Sequence, residues 1–134
     1  NSVGMMAPDF TAKLYNEDGS FTLSDYLGKK VIINFWATWC TPCIAELPHF
    51  DEFQKNHPEV KLVALHSNLV TDDVMKYLSN YDYEITFGID ETGEVIKSFG
   101  GSTMLPHTIV INENGVITYN SVDSITYEKL ESLI

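Results

Sequence analysis

Short alternating stretches open the chain, and longer apolar runs follow. Phe10 to Leu14 and Phe21 to Leu23 are β-like and are separated by the polar run Asn16-Glu17-Asp18-Gly19-Ser20, so a hairpin is predicted as an added edge element. Lys30 to Trp36 is a run of β-branched and aromatic residues with little alternation, which suits a central strand covered on both faces. From Pro42 to about Asn56, Cys43, Leu47, Phe50 and Gln54 fall near one line at 3.6 residues per turn, with Ile44 and Phe53 beside them. That spacing predicts a helix, and Pro48 inside it predicts a kink.

Further on, Val60 to Leu65 reads as a strand, Asp72 to Asn80 as an amphipathic helix with Val74, Tyr77 and Leu78 inward, and Ile85 to Ile89 as a short strand. Glu94 to Phe99 is a brief helix before Gly100-Gly101. Thr108 to Ile111 and Val116 to Asn120 flank Asn112-Glu113-Asn114-Gly115, a hairpin signal, and Ile125 to Ile134 closes as a helix carrying Ile125, Leu130 and Leu133. Strand–helix–strand units followed by a hairpin and a helix predict an α/β fold: a mixed central sheet with helices on both faces.

At 134 residues the chain is the size of one compact core, so a single domain spanning 1–134 is expected. Hydrophobic residues at 44% and charged residues at 20% exclude global disorder. Eight lysines, no arginine and nineteen acidic residues give a formal net charge of −11, which excludes a general nucleic-acid binder and disfavours an anionic bilayer. No apolar run reaches the roughly 20 residues of a membrane helix. The opening Asn1-Ser2-Val3 carries the expectation of a processed chain from which a signal or anchor was removed.

Two cysteines occur, Cys40 and Cys43, within Trp39-Cys40-Thr41-Pro42-Cys43 at the junction of the central strand and the helix. Cys40 falls at the N-cap, where unpaired backbone N–H groups and the positive end of the helix dipole favour thiolate over thiol. Pro42, in the first turn, removes no helical hydrogen bond. Cys43 lies one turn in and is expected to be shielded, as suits a resolving thiol. A purely stabilising bridge is the plainer alternative, but a loop of so few residues removes little unfolded-state entropy. Half a metal site is another; His49, His57, His66 and His107 do not supply zinc-finger spacing, and neither a metal nor a cofactor is called for.

Phe35 to Cys43 resembles the active site of the thioredoxin superfamily. Cys43-Ile44-Ala45-Glu46-Leu47-Pro48, together with Ala7-Pro8-Asp9-Phe10 and the N-terminal hairpin, resembles its TlpA/ResA branch, which shares that opening with peroxiredoxin-like relatives. The resemblance covers nearly the whole chain. It implies a thioredoxin-like fold and a thiol–disulfide oxidoreductase acting on protein disulfides or dithiols. It also implies an extracytoplasmic setting, a membrane-bound electron donor and work in the reducing direction, on cytochrome c maturation or secreted-protein repair; a monomer is expected.

Glu46, three residues past Cys43, falls on the inward stripe, where burial raises a carboxyl pKa. The resemblance implies that it moves the proton of Cys43; the alternative is a bent side chain reaching solvent. Thioredoxin proper keeps a buried Asp where this chain has Asn34, which leaves Glu46 as the acid nearest the dithiol. Leu105-Pro106 matches the superfamily's cis-proline, which implies that the backbone of Leu105 docks an extended substrate segment. Trp39, Thr41, Pro42, Leu105 and Pro106 are therefore the expected docking surface, with Trp36 in the core and Trp39 on the rim. His107 is expected as a partly exposed strand-end residue, and His49, His57 and His66 as surface or strand-end residues. Two rival functions remain: a peroxidase, whose usual Thr three residues before the attacking Cys is here Ala37, and a copper carrier using both thiolates with His107.

Overall fold

The computed structural model describes residues 3–14, 17–67 and 72–134, so residues 15 and 16, at the start of the expected hairpin turn, lie outside the described residues. Seven strands form one sheet: β1 (Thr11–Leu14), β2 (Ser20–Thr22), β3 (Val31–Trp36), β4 (Lys61–Ser67), β5 (Thr86–Asp90), β6 (His107–Ile111) and β7 (Ile117–Ser121). Four α-helices accompany them: α1 (Thr41–Asn56), α2 (Asp72–Ser79), α3 (Glu94–Ser98) and α4 (Tyr127–Ser132). The strand order is β2-β1-β5-β4-β3-β6-β7. β3 and β4 pair in parallel, as do β4 and β5; β6 and β7 are antiparallel additions on one side, and the β1–β2 hairpin joins β5 antiparallel on the other. The fold is therefore α/β with a mixed sheet and an N-terminal hairpin at its edge, as expected.

Each face of the sheet has its own core. Ile32, Trp36, Leu62, Ala64 and Val110 point to one face, where they meet Leu47, Phe50 and Phe53 of α1, Val74 of α2 and Leu130 of α4. Val31, Ile33, Phe35, Val63, Leu65, Ile109 and Ile111 point to the other, where they meet Ile96 of α3 and Phe21 of the hairpin. All six residues of β3 are buried, which explains the missing alternation in its sequence. Burying a side chain such as Phe50 or Phe53 stabilises the fold by about 1.5–3 kcal/mol. That anchoring holds the start of α1, and with it the dithiol, at the carboxyl end of β3.

α1 runs on through Pro48, which lies on its exposed side. Two boundaries differ instructively from expectation. β4 continues two residues past Leu65 because His66 and Ser67 pair with Trp36 of β3 and with Ile89 and Asp90 of β5. α4 begins at Tyr127 rather than Ile125, because Thr126 takes the N-cap and its side chain accepts from Lys129 N–H. The N–H groups of Ile125 and Tyr127 go instead to side chains of α1.

Candidate active site

β3 ends at Trp36, a short turn follows, and Cys40 caps α1. The turn is held from two directions: Cys40 N–H donates to Ala37 C=O at 3.1 Å, and Thr38 N–H donates to His66 Nε2 at 3.1 Å. Cys40 and Cys43 are joined as a disulfide with their Cα atoms 5.3 Å apart. Cys43 N–H donates to Cys40 Sγ at 3.3 Å, the N-cap bond that a thiolate at this position also receives. No acidic residue occupies the first turn of α1, so nothing there offsets the positive end of the helix dipole. Of the two cysteines, Cys40 is 7% exposed and Cys43 fully buried, so Cys40 is the more accessible.

Glu46 lies one turn beyond Cys43 and is 3% exposed, which removes the solvent-reaching alternative. Its Oε1 accepts from Asn34 Nδ2 at 3.2 Å, and its Oε2 accepts from Ile125 N–H at 2.7 Å. Asn34 Nδ2 also donates to Thr108 Oγ1 at 3.1 Å, while Asn34 Oδ1 has no partner among the described residues. Burial pushes the carboxyl up from 4.5 to about 7; the bonds from Ile125 and Asn34 restrain the rise by favouring the carboxylate. The group therefore changes charge near neutral pH, which suits proton exchange.

Trp39 is 65% exposed and forms the rim, whereas Trp36 is fully buried, as expected. A groove of about 330 Å³ runs beside Trp39, lined also by Ser67, Lys97, Gly101, Thr103 and Leu105. Thr41 and Pro42 are exposed on the first turn of α1, and Pro42 lines a second pocket, beside Glu46. The Leu105–Pro106 peptide is cis. Pro106 itself is buried, whereas Leu105 and Trp39 line the groove.

His107 departs from expectation. It is buried rather than partly exposed, because α3 and the Gly100–Leu105 loop cover that face of β6. His107 Nε2 lies 2.6 Å from Asn120 Oδ1, and Asn120 Nδ2 donates to Phe99 C=O, so the ring is tied to the loop rather than to the dithiol. Only Nε2 is engaged, by Asn120; Nδ1 has no hydrogen-bond partner among the described residues and lies beneath Gly101. Among the described residues no cluster of three His, Cys, Asp or Glu is placed to hold a metal, so His107 is not brought together with the two sulfurs as the copper reading required. Gly101 closes over the ring: a Cβ there would lie 2.5 Å from His107 Nδ1 and 2.7 Å from Ile96 Cγ1. Gly101→Ala is expected to destabilise the protein by about 1–3 kcal/mol through overpacking, measured by denaturant unfolding.

His66 stands near the carboxyl end of β4, as expected of a strand-end residue, but it is not on the surface. It is buried, its ring meets Trp36 edge-on with centroids 5.0 Å apart, and desolvation lowers its pKa, keeping it neutral and able to accept from Thr38. The available signal was its place in the apolar run Val63-Ala64-Leu65-His66, on the same face as Leu62 and Ala64.

A sequence model of the Redoxin family matches residues 2–134. The chain belongs to the Redoxin family. A protein named thiol-disulfide oxidoreductase ResA, from Bacillus thuringiensis, is 32% identical over 134 residues, covering 98% of this chain and 76% of that protein. The thioredoxin-like protein YneN of Bacillus subtilis is 34% identical over 133 residues, covering 96% and 76%. The crystal structure of an exposed lipoprotein thioredoxin, Etrx1, from Streptococcus pneumoniae superimposes with a TM-score of 0.82 at 25% identity, covering 94% of this chain and 98% of that one. With its thioredoxin-like fold and its Cys40–Cys43 couple, this member of the family is a thiol–disulfide oxidoreductase.

Proposed function

We propose that the protein is an extracytoplasmic reductase of protein disulfides in which Cys40 attacks, Cys43 resolves and Glu46 moves protons. The observation that carries this reading is a buried carboxyl, Glu46, one turn from the shielded sulfur of Cys43. The Cys40 thiolate attacks a substrate disulfide, forming a mixed disulfide and releasing one substrate sulfur as a thiolate that takes a proton from water. Cys43 passes its proton to the Glu46 carboxylate and attacks Cys40 Sγ. The Cys40–Cys43 bond forms, the bond from Cys40 to the substrate breaks, and the second substrate sulfur leaves as a thiolate that takes a proton from water. Glu46 returns its proton to solvent, and two electrons have passed from the dithiol to the substrate. A buried base matters most in this direction, because resolution fails while Cys43 keeps its proton.

Docking is assigned to Trp39, Thr41, Pro42 and Leu105, with the substrate segment lying extended along the groove beside Leu105; Pro106, itself buried, shapes that surface by setting the backbone of Leu105. The extracytoplasmic setting is supported by similarity to a protein described as an exposed lipoprotein. Re-reduction is assigned to a membrane-bound dithiol donor. No helix among the described residues is long and apolar enough to cross a membrane. Equilibration with glutathione tests the direction: a potential below roughly −250 mV is expected, and one near −120 mV would reverse the assignment.

A further inference from the structure

Glu46 is not the only side chain of α1 that grips the segment leading into α4. One turn further along α1, His49 Nδ1 accepts from Tyr127 N–H at 3.0 Å. Two acceptors a turn apart on one helix thus hold two alternate N–H groups of a neighbouring strap, Ile125 on Glu46 and Tyr127 on His49. Between helix and strap lies a pocket of about 270 Å³, lined by Pro42, Ala45, Glu46, His49, Ser124 and Thr126. The pocket has room for several waters, and with Pro42 in its wall it opens beside the Cys40–Cys43 loop.

We propose that His49 is a positioning residue for the Glu46 carboxyl: by holding Tyr127 N–H it keeps Ile125 N–H on Glu46 Oε2, and it keeps the pocket open as the route by which protons reach that carboxyl. The proposal rests on the proton role assigned to Glu46 and adds the element that sets its proton affinity. Because Nδ1 accepts, the ring proton sits on Nε2. The lone pair is engaged by the strap, so His49 acts through Ile125 rather than by carrying the proton itself.

The groups facing Glu46 are few. β3 contributes Asn34, which also bonds Thr108 of β6; the strap contributes the backbone of Ile125; α1 contributes Cys43 and His49. No charged side chain from these elements shifts the carboxyl. Burial raises its proton affinity, and the Ile125 N–H is the first influence opposing that rise. Freeing the strap removes that donor, so the carboxyl binds its proton more tightly.

The test compares His49→Leu with His49→Asn, two side chains of nearly equal size. Asn retains an acceptor at the δ position and Leu does not. The readout is the Glu46 carboxyl titration, followed by side-chain carboxyl ¹³C NMR on the oxidised protein, in which the cysteines do not titrate. His49→Leu is expected to move the midpoint upward by about half to one pH unit, the worth of one hydrogen bond, while His49→Asn stays near the native midpoint. Tyr127→Pro provides a second route should His49→Leu fold poorly. It deletes the donor at the first position of α4, where proline is well tolerated, and the same upward move is expected. An unmoved or lowered midpoint in His49→Leu and Tyr127→Pro, or equal shifts in His49→Leu and His49→Asn, would overturn the proposal. Failure of the parent reading looks different: Glu46→Gln would then leave the pH profile of disulfide exchange unchanged.

Discussion

Cys40→Ser is expected to lower disulfide reduction by about a thousandfold or more, to the background of an isolated thiol. Serine at the N-cap still accepts from the residue 43 N–H, so the helix keeps its cap and the fold is retained. What is lost is the more accessible of the two sulfurs, the one to which attack is assigned in the proposed function, since Cys43 is fully buried. Cys43→Ser has a different signature. Attack through Cys40 still proceeds, but nothing resolves the mixed disulfide, so a covalent adduct with a dithiol-reducible substrate is expected to accumulate. Mass spectrometry of the reaction mixture checks both outcomes, and an adduct through residue 43 in Cys40→Ser would reverse the assigned order of attack.

Glu46→Gln is expected to slow the resolving step by about a hundredfold and to flatten its pH profile between pH 5 and 8. In the native protein the carboxyl titrates near 7, so it is protonated in mild acid and free to take the Cys43 proton above neutrality. Stopped-flow exchange with a model disulfide across pH resolves the limb; a limb that persists in Glu46→Gln would dismiss the role. The same substitution has a stability consequence with a determined sign. The folded state binds the Glu46 proton more tightly than the unfolded chain, whose pKa stays near 4.5, so this group's favourable contribution holds below 4.5 and is lost as pH rises to about 7. The loss is about 3 kcal/mol. Gln does not ionise, and Asn34, whose Oδ1 has no partner among the described residues, has an amide that can turn to receive its NH₂. Oxidised Glu46→Gln is therefore expected to be more stable than the native protein at pH 8 by about 2–3 kcal/mol and equal to it near pH 4. Unfolding in urea at the two pH values measures this.

Much of this site is legible along the chain because its parts are local. The Cys40–Cys43 spacing, the strand-to-helix junction and the inward turn that carries Glu46 all follow from near-neighbour geometry. The histidines were not legible in the same way. His107 and His66 stand at ends of strand-like runs, where exposure is the ordinary expectation. They are buried because α3 with its following loop covers one, and pairing with Trp36 extends β4 around the other. His49 and Ile125 are 76 residues apart in sequence, and no periodicity within either segment announces that both belong to the surroundings of Glu46.

Local pattern thus settles which residues form strands and helices, where the dithiol sits and which side of α1 faces inward, because those properties depend on spacing within a few residues. The partners of Glu46, the covering of His107 and the late start of α4 depend on where distant backbone N–H groups find acceptors once the layers have packed. A buried donor must be satisfied by whatever acceptor the packing brings near, and only the assembled sheet and helices supply that neighbour.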